Sequence, residues 1–262
     1  MIELHATSAW ITTFAAVLAR VAAFVIAAPI LGQNVIPARV RLLLIVAIAA
    51  SLVSVAPAPA LDAGHAPLSV AFGLVLEALV GALLGFVARL VFDAVSFAAE
   101  AISISMGLGS ASLFDPMLGQ QGSVLTLFEG QVAVALFVAL DGHHVLFEVL
   151  GRSLQAVPLL TPHIGPGLAW GLVQVVTTTA AAGLALAAPV LTTLLLFQTG
   201  LAVLTRAVPS LGSFASMGFL ATVAVGLLLL QATHSHWLQA VAGLIDLTGR
   251  QMNAAFGALA TP

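Results

Sequence analysis

The run "LAWGLVQVVTTTAAAGLALAAPVLTTLLLFQTGLAVLT", residues 168–205, decides the class of fold, because it contains no Asp, Glu, Arg or Lys. A helix needs roughly 20 apolar residues to cross the ~30 Å hydrocarbon core of a membrane, so this run is too long for one ordinary span. Pro189 lies inside it, and proline removes a backbone donor and clashes with the preceding helical turn. The run is therefore either two short helices that meet at a hairpin or one kinked helix.

The composition of the whole chain excludes an ordinary soluble domain. Of its 262 residues 61% are hydrophobic and only 6% are charged, whereas soluble domains carry about 25% charged residues. The chain therefore needs lipid, partner subunits or both to cover its surface. Its net charge of −3 offers no basic face for nucleic acid, and the absence of Cys excludes disulfides and thiolate metal sites. The first Arg is Arg20, so we expect no cleaved signal peptide.

Polar or Pro- and Gly-rich connections separate the apolar runs. Backbone inside lipid must satisfy its own hydrogen bonds, so each run is predicted to be helical. The sequence thus predicts an all-α polytopic membrane protein built of helical hairpins, with one membrane domain over residues 1–262 and six to seven apolar segments. Pro37, Arg39 and Arg41 lie in the first connection, and the two arginines place it on the cytoplasmic side. The other runs lie at about 9–31, 40–60, 68–92, 93–114, 124–150 and 214–233.

Six acidic residues lie in or beside the apolar runs, where an ionised carboxylate must face protein or water. They could form a proton or ion path, as in a secondary transporter, or they could anchor helices and subunits to one another. Arg89 and Asp93 are four residues apart and share a helix face with Glu100, which favours anchoring. Arg206 and Pro209 mark a later turn that could dock a partner. The six acids are Glu77, Asp93, Glu100, Glu129, Asp141 and Glu148.

Two histidine pairs, in "DGHH" at 141–144 and "HSHW" at 234–237, end apolar runs. Side chains at adjacent helical positions point about 100° apart, which is poor geometry for one metal ion. The zinc-protease spacing of two histidines around a glutamate is absent, and a chain without lysine has no Walker A site. We therefore expect no enzyme activity, no metal and no cofactor.

Four stretches together resemble the FliR family of flagellar export-gate proteins, whose members in virulence injectisomes share the pattern. They are "APILGQNVIPARVRLLLIVAIA" (28–49), "EAISISMGLGSASLFDP" (100–116), "DGHH" and "RAVPSLGSFASMGF" (206–219). The resemblance runs from about residue 10 to about residue 230. One departure is Leu220, which stands where the family usually has proline.

This resemblance implies a single-copy subunit of the core export channel of a type III secretion system, most simply the flagellar one. Such a subunit assembles with several copies of two other small membrane subunits and with further export-apparatus proteins. Together they form a closed helical pore for unfolded substrates in the bacterial inner membrane, at the flagellar basal body. Two alternatives stay open: the injectisome version of the same subunit, and a small proton-coupled transporter that uses the buried acids.

The stretch "MGLGSASLFDPMLGQQG", residues 106–122, lies between two apolar runs and is rich in glycine. Glycine allows a backbone to fold back on itself, methionine adapts to irregular gaps, and Asp-Pro marks a turn. The residues alone fit a pore plug and an ordinary turn between hairpins equally well, and the family resemblance implies the plug. The predicted plug residues are Met106, Gly107, Gly109, Leu113, Phe114, Asp115, Pro116 and Met117.

Overall fold

A computed structural model describes residues 2–32, 36–57, 67–108, 123–161, 166–207 and 215–260, and this part of the chain contains seven α-helices and no strand. The helices are α1 (Ile2–Ala27), α2 (Ala38–Leu52), α3 (Pro67–Met106), α4 (Val124–Ala139), α5 (Gly142–Ala156), α6 (Pro166–Ala207) and α7 (Ala215–Ala260).

Four of these helices contain a segment long and apolar enough to cross a membrane, and α4 with α5 qualifies as one further, broken span. The prediction of an all-α polytopic membrane protein is therefore confirmed. The four segments are Trp10–Ala27, Pro67–Met106, Leu168–Ala207 and Gly218–Met252.

The prediction of separate helices at 68–92 and 93–114 is wrong, because α3 is continuous over 40 residues. Arg89 and Asp93 lower the hydropathy between the two runs, but neither residue breaks a helix. No glycine or proline lies between Gly85 and Gly107, so nothing in the backbone stops the helix there. It ends at Met106, and the next residue, Gly107, has a φ of 83°, the left-handed conformation common just after a helix.

The candidate span at 40–60 is also wrong, because α2 has only 15 residues. At 1.5 Å per residue such a helix reaches about 22 Å, which is short of the hydrocarbon core. Two serine hydroxyls near its end donate to nearby backbone carbonyls, Ser51 to Ile48 at 2.8 Å and Ser54 to Ser51 at 3.0 Å. Such local bonds compete with continuation of the helix.

Pro189 lies inside one continuous helix, α6, so the hairpin interpretation of the long neutral run is wrong.

The 124–150 run, in contrast, is interrupted: α4 ends at Ala139 and α5 begins at Gly142. Asp141 takes a left-handed conformation with φ 55°, which Asp tolerates better than most residues and which an α-helix cannot continue through.

The chain divides into two compact units, each with its own core. The first comprises Met1–Val91, Asp141–Thr177 and Asp246–Pro262, and the second comprises Phe92–Leu140 and Thr178–Ile245. In the second unit the rings of Phe92 and Phe137 meet edge to face, 5.4 Å between centroids. The largest fully buried apolar side chains of the first unit are Phe24, Leu84, Leu150, Leu154, Leu159, Leu160 and Met252, and those of the second are Ile102, Met106 and Leu194.

Within the first unit α1 packs on α3 at backbone distance, and two glycines of α3 make this possible. A Cβ at Gly81 would overlap the carbonyl oxygen of Arg20. A Cβ at Gly85, one turn later, would lie 2.7 Å from the carbonyl oxygen of Phe24. Small residues four apart allow membrane helices to approach closely, so this pair sets the crossing point of the two helices.

Replacing Gly81 by Ala is expected to force α1 away from α3, because the added methyl group would overlap backbone that has no rotamer to change. We expect a loss of about 2 kcal/mol or more of stability. The measurement is the apparent Tm of the detergent-solubilised chain, followed by circular dichroism.

Gly130→Ala is the matched control for this experiment, because a Cβ at this helical glycine meets nothing within 4 Å. Alanine is the better helix former, so the control is expected to be neutral or stabilising by up to about 1 kcal/mol. An equal Tm for the two variants would show that α1 and α3 do not pack as described.

Candidate functional site

A buried ion pair lies where α1 crosses α3. The guanidinium Nε of Arg20 donates to Oε2 of Glu77 at 2.6 Å, and both side chains are 0% exposed. A buried charge without a partner is costly, so each residue requires the other. The four-residue step from Glu77 to Gly81 puts carboxylate and glycine on one face of α3. Gly81 lets the α1 backbone come close, and Glu77 pairs with the positive charge of Arg20.

The remaining donors of Arg20 are bonded to the end of α5. One terminal nitrogen, Nη1, donates to the carbonyl oxygen of Ser153 at 2.7 Å and lies 3.4 Å from its hydroxyl. The other, Nη2, donates to the carbonyl oxygen of Val157 at 3.3 Å. Helices leave their last carbonyls without intrahelical partners and carry partial negative charge there, so a cation is favoured at this position. Arg20 thereby connects α5 to both α1 and α3.

Glu77 also fixes the turn that follows α5. Its Oε1 accepts from the backbone N–H of Leu160 at 2.7 Å. Leu160 has φ 66°, a left-handed conformation that costs a side chain other than glycine roughly 1–2 kcal/mol. A Cβ at Gly73 would lie 2.9 Å from atoms of Leu160, so this turn packs directly against the glycine. The hydrogen bond to Glu77 helps to hold a backbone conformation that leucine alone disfavours.

Sequence reasoning did not identify this cluster, although two signals point to it. Arg20 is the one charged residue within the first apolar run, 9–31, and such a residue requires a partner. The second signal is the four-residue spacing of Gly73, Glu77, Gly81 and Gly85, which forms a single stripe on α3. Glu77 was recognised as an acid in an apolar run, but no pattern in the sequence connects it to an arginine 57 residues away.

A second polar cluster, in the second unit, anchors the chain immediately after residues 109–122. Oε2 of Glu100 accepts from the hydroxyl of Thr126 at 2.5 Å and from the backbone N–H of Ser123 at 3.3 Å. The Ser123 hydroxyl in turn accepts from the backbone N–H of Thr126 at 3.1 Å and so caps α4. Glu100 therefore connects α3 to the start of α4.

The chain immediately before residues 109–122 is anchored by apolar contacts. Met106 is 1% exposed, and its side chain occupies the space that a Cβ at Gly226 would need, 2.7 Å away. A Cβ at Gly107 would lie 2.8 Å from the ring of Phe219. The amide of Gln198 also donates to the carbonyl oxygen of Ser105 at 2.6 Å. Side chains of α6 and α7 thus hold the end of α3.

The other predicted site residues are distributed along separate helices. Arg89 and Asp93 are exposed on α3. Arg206 is exposed in the last turn of α6, where the helix dipole favours a cation. Pro37 precedes the first residue of α2, Arg39 is exposed, and Arg41 is part-buried, with Nη2 3.5 Å from the carbonyl oxygen of Ile36. Outside the described residues lie Pro209 and the predicted plug residues Gly109, Leu113, Phe114, Asp115, Pro116 and Met117.

Only two of the six predicted acids are buried, Glu77 and Glu129. Oε2 of Glu129 has no hydrogen-bond partner among the described residues. Glu100 is half-buried, and Asp93, Asp141 and Glu148 are exposed. Glu148 forms an ion pair with Arg152 on the surface of α5. The acids therefore do not form one buried series along the described helices.

The sequence model of the protein family described as "Bacterial export proteins, family 1" matches residues 11–248. These residues include the buried ion pair and both anchors of the 109–122 stretch. The chain belongs to this family. The match covers almost the same part of the chain as the resemblance to the FliR family that the sequence analysis describes. That resemblance is thereby confirmed.

Relatives of this family member include proteins named "Flagellar biosynthetic protein FliR". The one from Escherichia coli (strain K12) is 32% identical over 226 residues, 85% of this chain and 84% of the relative. The one from Pectobacterium carotovorum subsp. carotovorum is 31% identical over 224 residues, 84% of each chain. The Bacillus subtilis (strain 168) protein is 27% identical over 241 residues, 90% of this chain and 91% of the relative.

Replacing Glu77 by Ala is expected to leave the Arg20 charge buried without its carboxylate. Removal of one partner of a buried pair costs about 3–5 kcal/mol, which would lower the apparent Tm by on the order of 10 °C. The double variant Arg20→Met/Glu77→Leu should recover much of this loss, because no buried charge remains. The measurement is thermal unfolding of the purified chain in detergent.

The exposed pair of Glu148 and Arg152 provides the control, since both side chains are about 60% exposed. Glu148→Ala should cost about 1 kcal/mol or less. The buried pair would be excluded as the main polar anchor if Glu77→Ala unfolded at the same temperature as Glu148→Ala.

Proposed function

We propose that this protein is a membrane subunit of the core channel through which a type III export apparatus passes unfolded proteins during flagellar assembly. One copy joins two other kinds of small membrane subunit in the bacterial inner membrane, within the flagellar basal body. Its role is to form part of a transport path, not to catalyse a reaction. The observation that carries the proposal is the family match over residues 11–248, together with relatives that are named flagellar biosynthetic proteins.

The exposed apolar residues of the short helix α2 support the proposal that partner subunits surround this chain. With 15 residues it is too short to span a membrane, yet Leu42 and Leu43 are 62% and 71% exposed. Large apolar side chains in such a position need a cover other than water. A neighbouring subunit can cover a short apolar helix at any depth in the assembly, whereas lipid covers only what lies within the bilayer.

The buried acids argue against a proton-coupled transporter as the primary function. Both carboxylate oxygens of Glu77 are hydrogen-bonded, one to Arg20 and one to the backbone of Leu160. Both oxygens are thus committed to contacts that hold the fold together, as expected of an acid that anchors helices. Glu129 is the remaining buried acid among the described residues, and one acid alone makes no relay.

The flagellar system is favoured over the alternative, an injectisome, because the similar proteins reported above are flagellar biosynthetic proteins. The direct test is deletion of the gene in its own host. Cells should lose swimming motility and filament export, the full-length chain should restore both, and the restored chain should co-purify with two other membrane subunits in mild detergent. A chain that purifies only as a homo-oligomer, from a host that still swims without it, would contradict the proposal.

The proposal includes a role for residues 106–122 in closing the idle channel. Both ends of this stretch are held by the second unit, on one side by Met106 against Gly226 and on the other by Glu100 bonded to Ser123 and Thr126. A closure needs fixed ends and an apolar, adaptable middle. Gly109, Leu113 and Phe114 belong to that middle, and their sequence gives the loop both freedom and apolar bulk.

Deletion of Gly109–Gly119 is expected to make the assembled channel leak, because the apolar bulk that closes the pore is removed while both anchors stay. The measurement is the ion conductance of the purified complex in planar bilayers, together with entry of small hydrophilic solutes into cells. The deletion should raise both.

The control keeps the loop length and apolar bulk and replaces Ser110 and Ser112 by alanine. This variant should remain as tight as the unchanged complex. Normal conductance in an assembled complex that carries the deletion would remove the plug from the proposed function and leave the export role intact.

A further inference from the structure

The first turn of α5 brings together three potential metal ligands to which the proposed function assigns no role. Asp141, His143 and His144 each offer one ligand atom, and these three atoms all lie within 4.8 Å of one another. All three belong to the first unit, at the corner where α5 begins. The cluster thus depends on one local stretch of backbone.

The carboxylate of Asp141 is directed to a histidine and not to the helix backbone. Asp at the residue before a helix usually accepts a hydrogen bond from a backbone N–H of the first turn, but Asp141 makes no such bond. Instead its Oδ1 lies 3.4 Å from Nδ1 of His144, and both side chains are about 70% exposed. An ion from solvent can therefore reach this pair.

The second imidazole lies beside the first. The ring centroids of His143 and His144 are 4.2 Å apart, at an interplanar angle of 41°. The divergence expected of adjacent helical positions does not keep these two rings apart. Nδ1 of His143 is buried and has no hydrogen-bond partner among the described residues. A buried polar atom without a partner costs free energy, and a metal–nitrogen bond would satisfy it.

The ligand types suit a transition metal better than they suit Ca²⁺ or Mg²⁺, and the distances are compatible with one. Zinc–nitrogen and zinc–carboxylate bonds of about 2.0–2.2 Å place neighbouring ligand atoms of a tetrahedral site about 3.4 Å apart. The separation between His144 Nδ1 and Asp141 Oδ1 already has this value. The third atom needs a shift of about 1 Å, which side-chain rotation supplies. Imidazole ligands favour Zn²⁺, Cu²⁺ and Ni²⁺, whereas Ca²⁺ and Mg²⁺ prefer oxygen alone.

We propose that Asp141, His143 and His144 form a binding site for a divalent transition-metal ion, with Zn²⁺ as the natural occupant. Two imidazole nitrogens and one carboxylate oxygen provide three ligands, and the exposed side of the cluster leaves the fourth position to water. The ion fixes the left-handed turn at Asp141 and the first turn of α5. The proposal is independent of the export function, since it rests on this turn alone.

The test is zinc binding by the full-length chain, purified in mild detergent with its associated subunits and carrying a histidine-free tag. Equilibrium dialysis followed by elemental analysis should give about one additional zinc per chain relative to the variants His143→Gln and His144→Gln, and each variant should weaken binding at least about tenfold. Zinc should also raise the apparent Tm of the unchanged chain, because it binds only the folded turn.

The single variants His234→Gln and His236→Gln are the matched controls, because each removes one histidine from outside the cluster. Each should bind zinc like the unchanged chain. Should a cluster variant fail to fold, Cu²⁺ bound to the unchanged chain gives a second readout, since electron paramagnetic resonance should report two imidazole nitrogens. Equal zinc binding by cluster and control variants, or a copper spectrum without two nitrogens, would overturn the proposal.

Discussion

The contact between Arg20 and Glu77 is the constraint on which the first unit depends. A guanidinium and a carboxylate are both removed from solvent, at 2.6 Å from one another, so neither residue tolerates loss of the other. The remaining hydrogen bonds of the pair hold the end of α5 and the turn at Leu160. One charge pair thereby positions α1, α3 and α5, and the glycines beside it let the backbones approach closely enough for the pair to form.

The second unit holds the chain on either side of residues 109–122 by contacts of another kind. Glu100 anchors the start of α4 through Ser123 and Thr126, and Met106 packs into the space beside Gly226. These are half-buried hydrogen bonds and apolar packing, not a buried ion pair. The two units thus depend on different kinds of interaction.

Hydropathy predicted the class of fold well and the helix boundaries poorly. It detects apolar length, so it identified the four long membrane helices that the described residues contain. It is insensitive to backbone continuity, so it divided α3 at Arg89 and Asp93, where no helix-breaking residue lies. It also extended α2 beyond Leu52, because serine hydroxyls that end a helix barely lower the hydropathy of an apolar run.

The sequence by itself determined that this chain is a helical membrane protein and that it belongs to a family of bacterial export proteins, because composition and short sequence motifs are local properties. Tertiary structure alone decided which acid pairs with Arg20, and that the imidazoles of His143 and His144 meet beside Asp141. A partner 57 residues away is selected by helix crossing, and ring orientation is selected by the turn at Asp141. Both depend on distances in space that residue order does not specify.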